Sequence, residues 1–378
     1  MSARDSGSSG ENGRRVLKID RSPHLFRPLT VRSVTLRNKI MMSPMCQYSA
    51  DDGEANDWHY VHLSSRAVGG AGIVCTEVIH TEPEGRITPH CLGLWNDDQR
   101  DGLARITEFI TKQGAAPAIQ IGHAGRKASV GRPWDGSTPL TENESGWPVV
   151  APSPLPYADG WPIPRELDTS DIARLVEGFS ATARRAQEAG FQILEIHAAH
   201  GYLINEFMSP LSNQREDDYG GSFDNRTRLL FEIIGAIRSE WPSDLPLFLR
   251  ISASEWAEGG WTLEDSIKLG HLIKEQGEVD LIDCSSGGND PHQEIPIHPG
   301  YQIPFAREIR KQTGLMTGAV GLINSPDMAE TTIANGDADI LILGRTMLAN
   351  PYWPLHTAAS LKAENVVWPV QYERAKFF

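Results

Sequence analysis

Short apolar runs, rich in β-branched residues, recur along this chain and alternate with segments of helical periodicity. The runs are KIMMSPM (39–45), AGIVCTEVI (71–79), APAIQIG (116–122), FQILEIH (191–197), LPLFLRIS (245–252), VDLIDCS (279–285), LMTGAV (315–320) and ADILILG (338–344). Because nearly every position in them is apolar, they predict strands of a parallel sheet that is buried on both faces.

Helical periodicity is clearest in the segment 169–190, which precedes the fourth run. Its apolar residues share one face of a helix: Ile172, Leu175, Val176, Phe179 and Ala183. Ser170 or Thr169 is suited to cap the start of this helix, and Gly190 is suited to end it. The segments 224–241 and 262–277 show similar spacing, and we expect a helix in each.

The alternation of strands with helices decides the expected fold. Eight strand–helix units in roughly 320 residues predict the α/β class, as a (β/α)8 TIM barrel forming a single domain over 21–378. An open doubly wound sheet with extra strands is the alternative. In a barrel the chemistry lies just beyond the C-terminal ends of the strands, so residues at those ends are the candidates for function.

The connection after the third strand, residues 123–168, is the longest loop. A loop of this length without clear periodicity is usually functional or disordered. It contains Trp134, Trp147, Trp161 and eight prolines, a composition that disfavours disorder. We expect it to be a lid-like rim of the active site, with surface padding as the alternative.

Composition narrows the class of protein. Asp and Glu number 49 against 35 Lys and Arg, a net charge of −14 that disfavours binding to nucleic acid or to an anionic membrane. The four cysteines include no C-x-x-C pair, which excludes local zinc-ribbon and iron–sulfur patterns and predicts no disulfide framework.

The N-terminal segment 1–20 is polar and begins with a Ser- and Gly-rich stretch. It lacks the apolar region of a signal peptide, and no apolar run in the chain is long enough for a membrane-spanning helix. We therefore expect a disordered N-terminal tail and a cytoplasmic protein.

Two histidines and a tyrosine stand at the end of the fourth strand, in EIHAAHGYL (195–203). For His197 and His200 four roles are open: metal ligands, a proton relay, donors to a ligand's oxygen, or packing. A metal would need a third ligand, and Glu195 lies on the same strand face as His197. Tyr202 places a phenol just past the pair.

Glycines follow the seventh and eighth strands, Gly321 after the former and Gly344 after the latter, with Arg345 adjacent. Barrels commonly bind a phosphate at this place, where backbone N–H groups and an arginine favour the anion. The sequence contains no G-x-G-x-x-G opening a βαβ unit, no P-loop motif and no G-x-S-x-G. A Rossmann dinucleotide site and a nucleophile elbow are therefore disfavoured.

Six motifs resemble, in order, those of the old yellow enzyme family of FMN-dependent ene-reductases. They are SPMCQYS, QIGHAGRKA, EIHAAHGYLINEFMSPLSNQREDDYGGSFDNR, FLRISAS, TGAVG and ILGR. The resemblance covers about residues 24–375. Cysteine in SPMCQYS, where other branches carry threonine, and the C-terminal VQYER resemble the bacterial thermophilic-like branch that includes xenobiotic reductases.

The resemblance implies an FMN across the barrel mouth. Its isoalloxazine would be lined by Ser43, Pro44, Met45, Cys46 and Val78. Gln120 would hydrogen-bond the pyrimidine edge, Arg250 would lie near N1 and O2, and the phosphate would be held by Gly321, Gly344 and Arg345. Cys46, a weak S–H donor, would tune the flavin rather than attack the substrate.

The resemblance also implies a reaction. NADPH or NADH would reduce FMN and leave, and flavin N5 would then pass a hydride to the activated C=C bond of an enone or enal. His197 and His200 would bind the substrate's carbonyl oxygen, Tyr48 would position the substrate, and Tyr202 would deliver a proton. In this branch an arginine near the C-terminus enters the neighbouring subunit's site. Arg374 matches it, which implies that the tail 364–378 reaches a partner in a homodimer or homotetramer.

Three alternatives remain beside this reading. Larger relatives that carry a flavin and an iron–sulfur cluster are disfavoured, because the cluster cysteines are absent. A non-catalytic barrel that binds a phosphate ligand could act as a sensor. A zinc hydrolase could use His197 and His200 as ligands.

Overall fold

The computed structural model describes residues 22–376, which form a closed barrel of eight parallel strands. The strands are β1 (Ile40–Met42), β2 (Ile73–His80), β3 (Ala116–Gly122), β4 (Ile193–Ala198), β5 (Leu247–Ser252), β6 (Leu281–Ser285), β7 (Met316–Ala319) and β8 (Ile340–Leu343). They pair in chain order, and β8 closes the barrel on β1. The expected TIM barrel is confirmed, and the open sheet was the wrong alternative. The expected tail, residues 1–20, lies outside the described residues.

Helices surround the barrel and connect its strands. They are α1 (Asp57–Val68), α2 (Asp97–Lys112), α3 (Thr169–Glu188), α4 (Leu203–Met208), α5 (Phe223–Glu240), α6 (Leu263–Gln276), α7 (Ile303–Thr313), α8 (Pro326–Ala334), α9 (Arg345–Ala349) and α10 (Trp353–Ser360). The helices expected at 224–241 and 262–277 are α5 and α6, each displaced by a residue or less at either end.

The expected cap of α3 was wrong by one or two residues. Asp168 is the N-cap, and its carboxylate accepts hydrogen bonds from the backbone N–H groups of Ser170 and Asp171, both at 2.8 Å. Thr169 is already the first helical residue, and the Ser170 hydroxyl donates to Asp168. A carboxylate at a helix N-terminus also gains from the helix dipole, a term that the serine lacks.

Two apolar layers hold the barrel together. Inside it, Ile193, Phe248 and Leu281 pack with Val31 and Val34 of an antiparallel hairpin, Leu29–Val31 with Val34–Leu36. This hairpin therefore closes the N-terminal end of the barrel. Outward-facing strand residues instead pack against the apolar faces of the helices in a second, larger cluster. The barrel interior is thus a core at one end and is open for chemistry only at the other.

The long connection 123–168, called here the lid loop, is ordered by short elements and by buried cations. Val150–Ala151 and Arg165–Glu166 form a two-stranded sheet within it. The buried guanidinium of Arg215 donates to the carbonyl oxygens of Pro152, at 3.0 Å, and Leu167, at 2.6 Å. The second half of the loop is therefore fixed to the segment between α4 and α5.

No helix within residues 22–376 is both long and apolar enough to cross a membrane. The cytoplasmic location stays a prediction.

Candidate active site

A cavity of about 520 Å³ lies at the C-terminal ends of the strands. Seven residues singled out from the sequence line it: Ser43, Pro44, Met45, Arg250, Gly321, Gly344 and Arg345. They come from four places in the chain, which the barrel brings to one mouth. The cavity's volume falls in the range of sites for small molecules and cofactors.

One end of the cavity is suited to an anion. Gly321 has a φ of +122°, and a Cβ there would lie 3.1 Å from Gln302 Nε2 and 3.2 Å from the Tyr301 ring. Only glycine fits this backbone, so the chain passes the cavity with nothing but its main chain exposed. Arg345, at the start of α9, is exposed and carries its positive charge to the same end. The residues expected to bind a phosphate, Gly321, Gly344 and Arg345, therefore all line this cavity.

The floor of the cavity is charged and buried. Arg250 of β5 lies 3.1 Å from Asp283 of β6, measured from Nε to Oδ2, and its Nη1 donates to Ser43 Oγ at 3.3 Å. On the adjacent strands, Gln120 Nε2 donates to Glu195 Oε1 at 2.9 Å. Glu195 is thus engaged with Gln120, and within residues 22–376 no group of three or more His, Cys, Asp or Glu side chains could hold a metal ion.

The histidine pair and Tyr202 form one cluster of rings. The ring centre of His197 lies 5.1 Å from that of His200 and 5.1 Å from that of Tyr202, both in edge-to-face contact. The backbone N–H of Ala199 donates to His197 Nδ1 at 3.3 Å, which places the proton of a neutral ring on Nε2. His200 Nε2 lies 2.7 Å from Ser285 Oγ, which leaves Nδ1 of that ring for another partner.

The turn that carries His200 is held in an unusual backbone conformation. His200 has a φ of +61°, in the left-handed region that non-glycine residues seldom occupy. A Cβ on the next residue, Gly201, would lie 2.3 Å from the carbonyl oxygen of Gly288. Lys127 secures this contact, because its ammonium donates to the carbonyls of His200 and Gly288 at 2.9 and 2.8 Å. Such strain is characteristic of functional sites, where surrounding contacts determine the geometry.

Burial fixes the protonation state of the cluster. It lowers the pKa of His197 and of His200 well below the usual value, helped by the positive charge of Arg250, so both rings are neutral at pH 7. It raises the pKa of the Tyr202 phenol and of the Cys46 thiol, so both keep their protons. The site therefore presents neutral imidazoles beside a protonated phenol.

The remaining predicted residues line the side of the mouth that faces the lid loop. Val78, in β2, is buried, and Cys46, Tyr48 and Tyr202 pack against the apolar cluster that contains it. Tyr48 has a φ of +51°, and its ring meets that of Trp134 edge-on at 5.9 Å. The lid loop therefore touches the predicted substrate side directly. Arg374 lies apart from these residues, exposed in a turn at 370–375.

Several residues of this site were missed by sequence reasoning. Asp283 and Ser285 sit at alternate positions of β6, and the period of a strand could have placed both inside the barrel. Lys127 lies within the motif QIGHAGRKA, but only the folded chain shows that its ammonium donates to two carbonyl groups. The contact of Trp134 with Tyr48 depends on the path of the lid loop, which no sequence period describes.

A barrel mouth with an anion-binding end, a polar floor and a cluster of hydrogen-bond donors defines an enzyme-like cofactor site. The comparisons identify its class. A model of the NADH:flavin oxidoreductase / NADH oxidase family matches residues 24–364, so the chain belongs to that family.

Similar proteins agree with this assignment. The chain is 47% identical over 352 residues to an NADPH dehydrogenase of Geobacillus thermodenitrificans (strain NG80-2), covering 93% of this chain and 98% of that one. Morphinone reductase superimposes with a TM-score of 0.75 at 25% identity, covering 90% of each chain. The old yellow enzyme homologue from Zymomonas mobilis has the same fold, with a TM-score of 0.74 at 24% identity over 92% of this chain and 96% of that one.

The expected old yellow enzyme relationship is therefore confirmed, and the protein is an FMN-dependent oxidoreductase that uses NAD(P)H. Membership of a family of enzymes makes the sensor the wrong alternative. The cavity fits FMN: the Gly321 backbone and Arg345 suit its phosphate, and the buried polar floor suits the hydrogen-bonding edge of its ring system.

His80, the last residue of β2, leads to a prediction about stability. Its ring is buried, and neither ring nitrogen has a hydrogen-bond partner among the described residues. Burial, together with the nearby His123 ring and the positive charge of Arg86, lowers its pKa to about 3. The unfolded chain takes up this proton below a pH of about 6.5, so acid favours unfolding. The stabilisation is complete above that pH and is lost as the pH falls towards 3.

Replacing His80 with Leu removes this titration. We expect the difference in unfolding free energy between wild type and His80→Leu to shift by about 2 kcal/mol in favour of the variant between pH 7 and pH 5. Urea unfolding at both pH values measures it. Ile79→Val is the control, because it changes a buried neighbour without a titrating group. Parallel stability curves for wild type and His80→Leu would contradict the prediction.

Proposed function

We propose that this protein reduces the activated C=C bond of α,β-unsaturated carbonyl compounds at the expense of NADPH or NADH. The observation that carries the proposal is the cluster of His197, His200 and Tyr202 beside the cofactor cavity. Bound FMN supplies the hydride. The chain must then stabilise the negative charge that develops on the carbonyl oxygen and deliver a proton to the α-carbon.

Two neutral imidazoles suit the first task. His197 carries its proton on Nε2, and His200 can donate from Nδ1 when its Nε2 accepts the Ser285 hydroxyl proton at 2.7 Å. Two preorganised N–H donors aimed at one oxygen form an oxyanion hole, in which each donor is worth about 3–4 kcal/mol. Because burial keeps both rings neutral, they bind the oxygen by donation and leave proton transfer to another group.

Tyr202 suits the second task. Its ring lies against that of His197, and burial keeps its phenol protonated, so it can act as a general acid. Tyr48 positions the substrate from the lid side, and the protonated thiol of Cys46 contributes as a weak hydrogen-bond donor to the flavin.

The cofactor residues follow the same scheme. Ser43, Pro44, Met45 and Val78 contact the isoalloxazine in our proposal. Gln120 would hydrogen-bond the pyrimidine edge, and Arg250 would bring positive charge near N1 and O2, which would favour the reduced cofactor. Gly321, Gly344 and Arg345 would hold the phosphate.

The function is tested on the purified protein. We expect a yellow protein whose FMN is bleached by NADPH under anaerobic conditions and recovers its colour when 2-cyclohexenone is added. Cyclohexanone, which lacks the C=C bond, is the matched control and should leave the flavin reduced. A flavin that NADPH reduces but that 2-cyclohexenone and other enones or enals leave reduced would overturn the proposed substrate class.

Replacing Tyr202 with Phe should separate the two halves of the reaction. We expect reoxidation of the flavin by 2-cyclohexenone to slow about 10²–10⁴-fold, because the general acid is lost, while reduction by NADPH changes little. Stopped-flow absorbance of the flavin measures both. Tyr157→Phe is the control, since Tyr157 belongs to the lid loop and its ring, like that of Tyr202, lies near the Lys127 ammonium. Equal slowing of both halves would argue against a proton from Tyr202.

We further propose a homodimer, or a homotetramer built from it, in which Arg374 enters the partner's substrate site. The turn that carries Arg374 is exposed, as are two nearby apolar residues, Val367 and Val370. On α1 of the same chain, Trp58 and Val61 are also exposed. Exposed apolar residues within a few positions of an exposed arginine are the features of a surface that a second copy covers.

Mixed dimers test this exchange. Arg374→Ala and Tyr202→Phe should each be impaired, but a dimer containing one subunit of each holds one intact site, because a two-fold interface is reciprocal. After mixing with subunit exchange we expect about a quarter of wild-type activity, since half of the dimers are mixed and each has one intact site. Light scattering checks the mass. A monomer, or no recovery in demonstrably mixed dimers, would contradict the proposal.

A further inference from the structure

Four neighbouring strands each place one buried polar side chain inside the barrel, beneath the cavity, and these four side chains are called here the charged layer. They form two register pairs, Gln120 of β3 with Glu195 of β4 and Arg250 of β5 with Asp283 of β6. The layer is bound together by two contacts: Gln120 with Glu195 at 2.9 Å, and Arg250 with Asp283 at 3.1 Å. Gln120 and Arg250 have proposed roles at the cofactor, whereas the two carboxyl groups have none so far.

Both carboxyl groups are fully buried, with 0% of either residue exposed. Among the described residues, Glu195 Oε2 and both oxygens of Asp283 have no hydrogen-bond partner. Burying a carboxylate costs several kcal/mol unless an opposite charge compensates it, and one guanidinium lies beside these two. An arrangement this costly in the middle of the barrel calls for a reason other than packing.

We propose that Asp283 and Glu195 are positioning residues for the flavin: Asp283 offsets the charge of Arg250 and thereby lowers the reduction potential, and Glu195 fixes the orientation of Gln120. The inference rests on the proposed function, which places the pyrimidine edge of FMN beside Arg250 and Gln120. Neither carboxyl group needs to touch the cofactor, because each acts through its partner.

Asp283 acts on charge. Reduction adds negative charge to the isoalloxazine, and an uncompensated guanidinium nearby would stabilise that charge and raise the potential. Asp283 Oδ2 lies 3.1 Å from Arg250 Nε, on the opposite side of the guanidinium group from the Nη1 atom that donates to Ser43. It therefore weakens the field of Arg250 at the cavity while holding the guanidinium in place.

Glu195 acts on orientation. The Gln120 amide donates its Nε2 proton to Glu195, so its carbonyl oxygen points the other way and is available to an N–H group of the pyrimidine ring. Burial raises the pKa of both carboxyl groups; the charge of Asp283 adds to this rise at Glu195, whereas the nearby Arg250 opposes it at Asp283. We infer that Asp283 carries the negative charge of the layer, while Glu195 holds a proton and still accepts from Gln120 through Oε1.

The test compares isosteric variants of the FMN-bound protein. We expect Asp283→Asn to tighten binding of reduced relative to oxidised FMN by about tenfold, which corresponds to a rise of about 30 mV for a two-electron couple. Glu195→Gln removes no charge in this scheme and should leave the potential unchanged. Asp280→Asn is the matched control: it lies on the approach to the same strand, three residues earlier, and pairs with Arg32 at the far end of the barrel. Redox titration against a reference dye measures the potential.

The outcomes separate this inference from the proposed function. A further variant, Arg250→Gln, should lower the potential if the guanidinium faces the flavin. An unchanged potential in Asp283→Asn, with a lowered one in Arg250→Gln, overturns the role of Asp283 alone. If Arg250→Gln also binds FMN with an unchanged potential, the placement of the cofactor edge is wrong. A shift in Glu195→Gln as large as that in Asp283→Asn overturns the assignment of the charge to Asp283.

A measurement on wild type covers the case in which Asp283→Asn does not fold. The infrared difference spectrum between reduced and oxidised protein should contain a carboxylate band, because the charge added to the flavin reaches Asp283 through Arg250. Absence of any carboxylate band from that spectrum would overturn the proposal. The titration of oxidised FMN into apoprotein tests Glu195 separately: Glu195→Leu, which cannot accept from Gln120, should weaken binding about tenfold, and unchanged affinity would overturn its role.

Discussion

The alternation of side chains along eight parallel strands is the constraint on which the rest of this molecule depends. Every second residue of a strand faces the barrel interior. From bottom to top the inward residues are Ile193, Glu195 and His197 in β4, Phe248, Arg250 and Ser252 in β5, and Leu281, Asp283 and Ser285 in β6. The same strands thus supply the apolar plug, the charged layer and the mouth. A slip of one residue would send all three into the helix layer, so register and site are specified together.

The mouth itself has little regular structure, and buried cations hold it in shape. Backbone carbonyls in irregular loops need partners when they are buried. Lys127 donates to the carbonyls of His200 and Gly288, and Arg126 donates to the carbonyl of Asn289 at 2.8 Å. In the lid loop, Arg215 donates to the carbonyl of Pro152. Side chains reaching from neighbouring segments therefore replace the hydrogen bonds of a helix or sheet. This explains how a turn as strained as that at His200 keeps one geometry.

The sequence was sufficient for the barrel and for most residues of its mouth, for a physical reason. Strand identity depends on local apolar runs, and strand ends converge in any barrel, so Gly321, Arg345 and His197 could be grouped without coordinates. The side-chain contacts between neighbouring strands could not be predicted from the sequence. Glu195 was considered only as a third metal ligand, and its contact with Gln120 depends on the register of β3 against β4. The cap of α3 was misassigned because a serine and an aspartate compete for one place, and the helix dipole favours the charged group.

The charge of Arg250 in the floor of the cavity and the neutral state of the two histidines at its mouth are linked. The positive charge of Arg250 that suits a flavin also opposes protonation of His197, its register partner on β4, and of His200. A cationic imidazole would be a stronger donor but would also be a stronger acid than Tyr202, and it would compete for the proton transfer. In the proposed reaction, histidines held neutral by burial and by Arg250 bind the substrate's oxygen by donation, and the phenol is left as the acid. The environment, rather than the residue types alone, would therefore divide the work between imidazole and phenol.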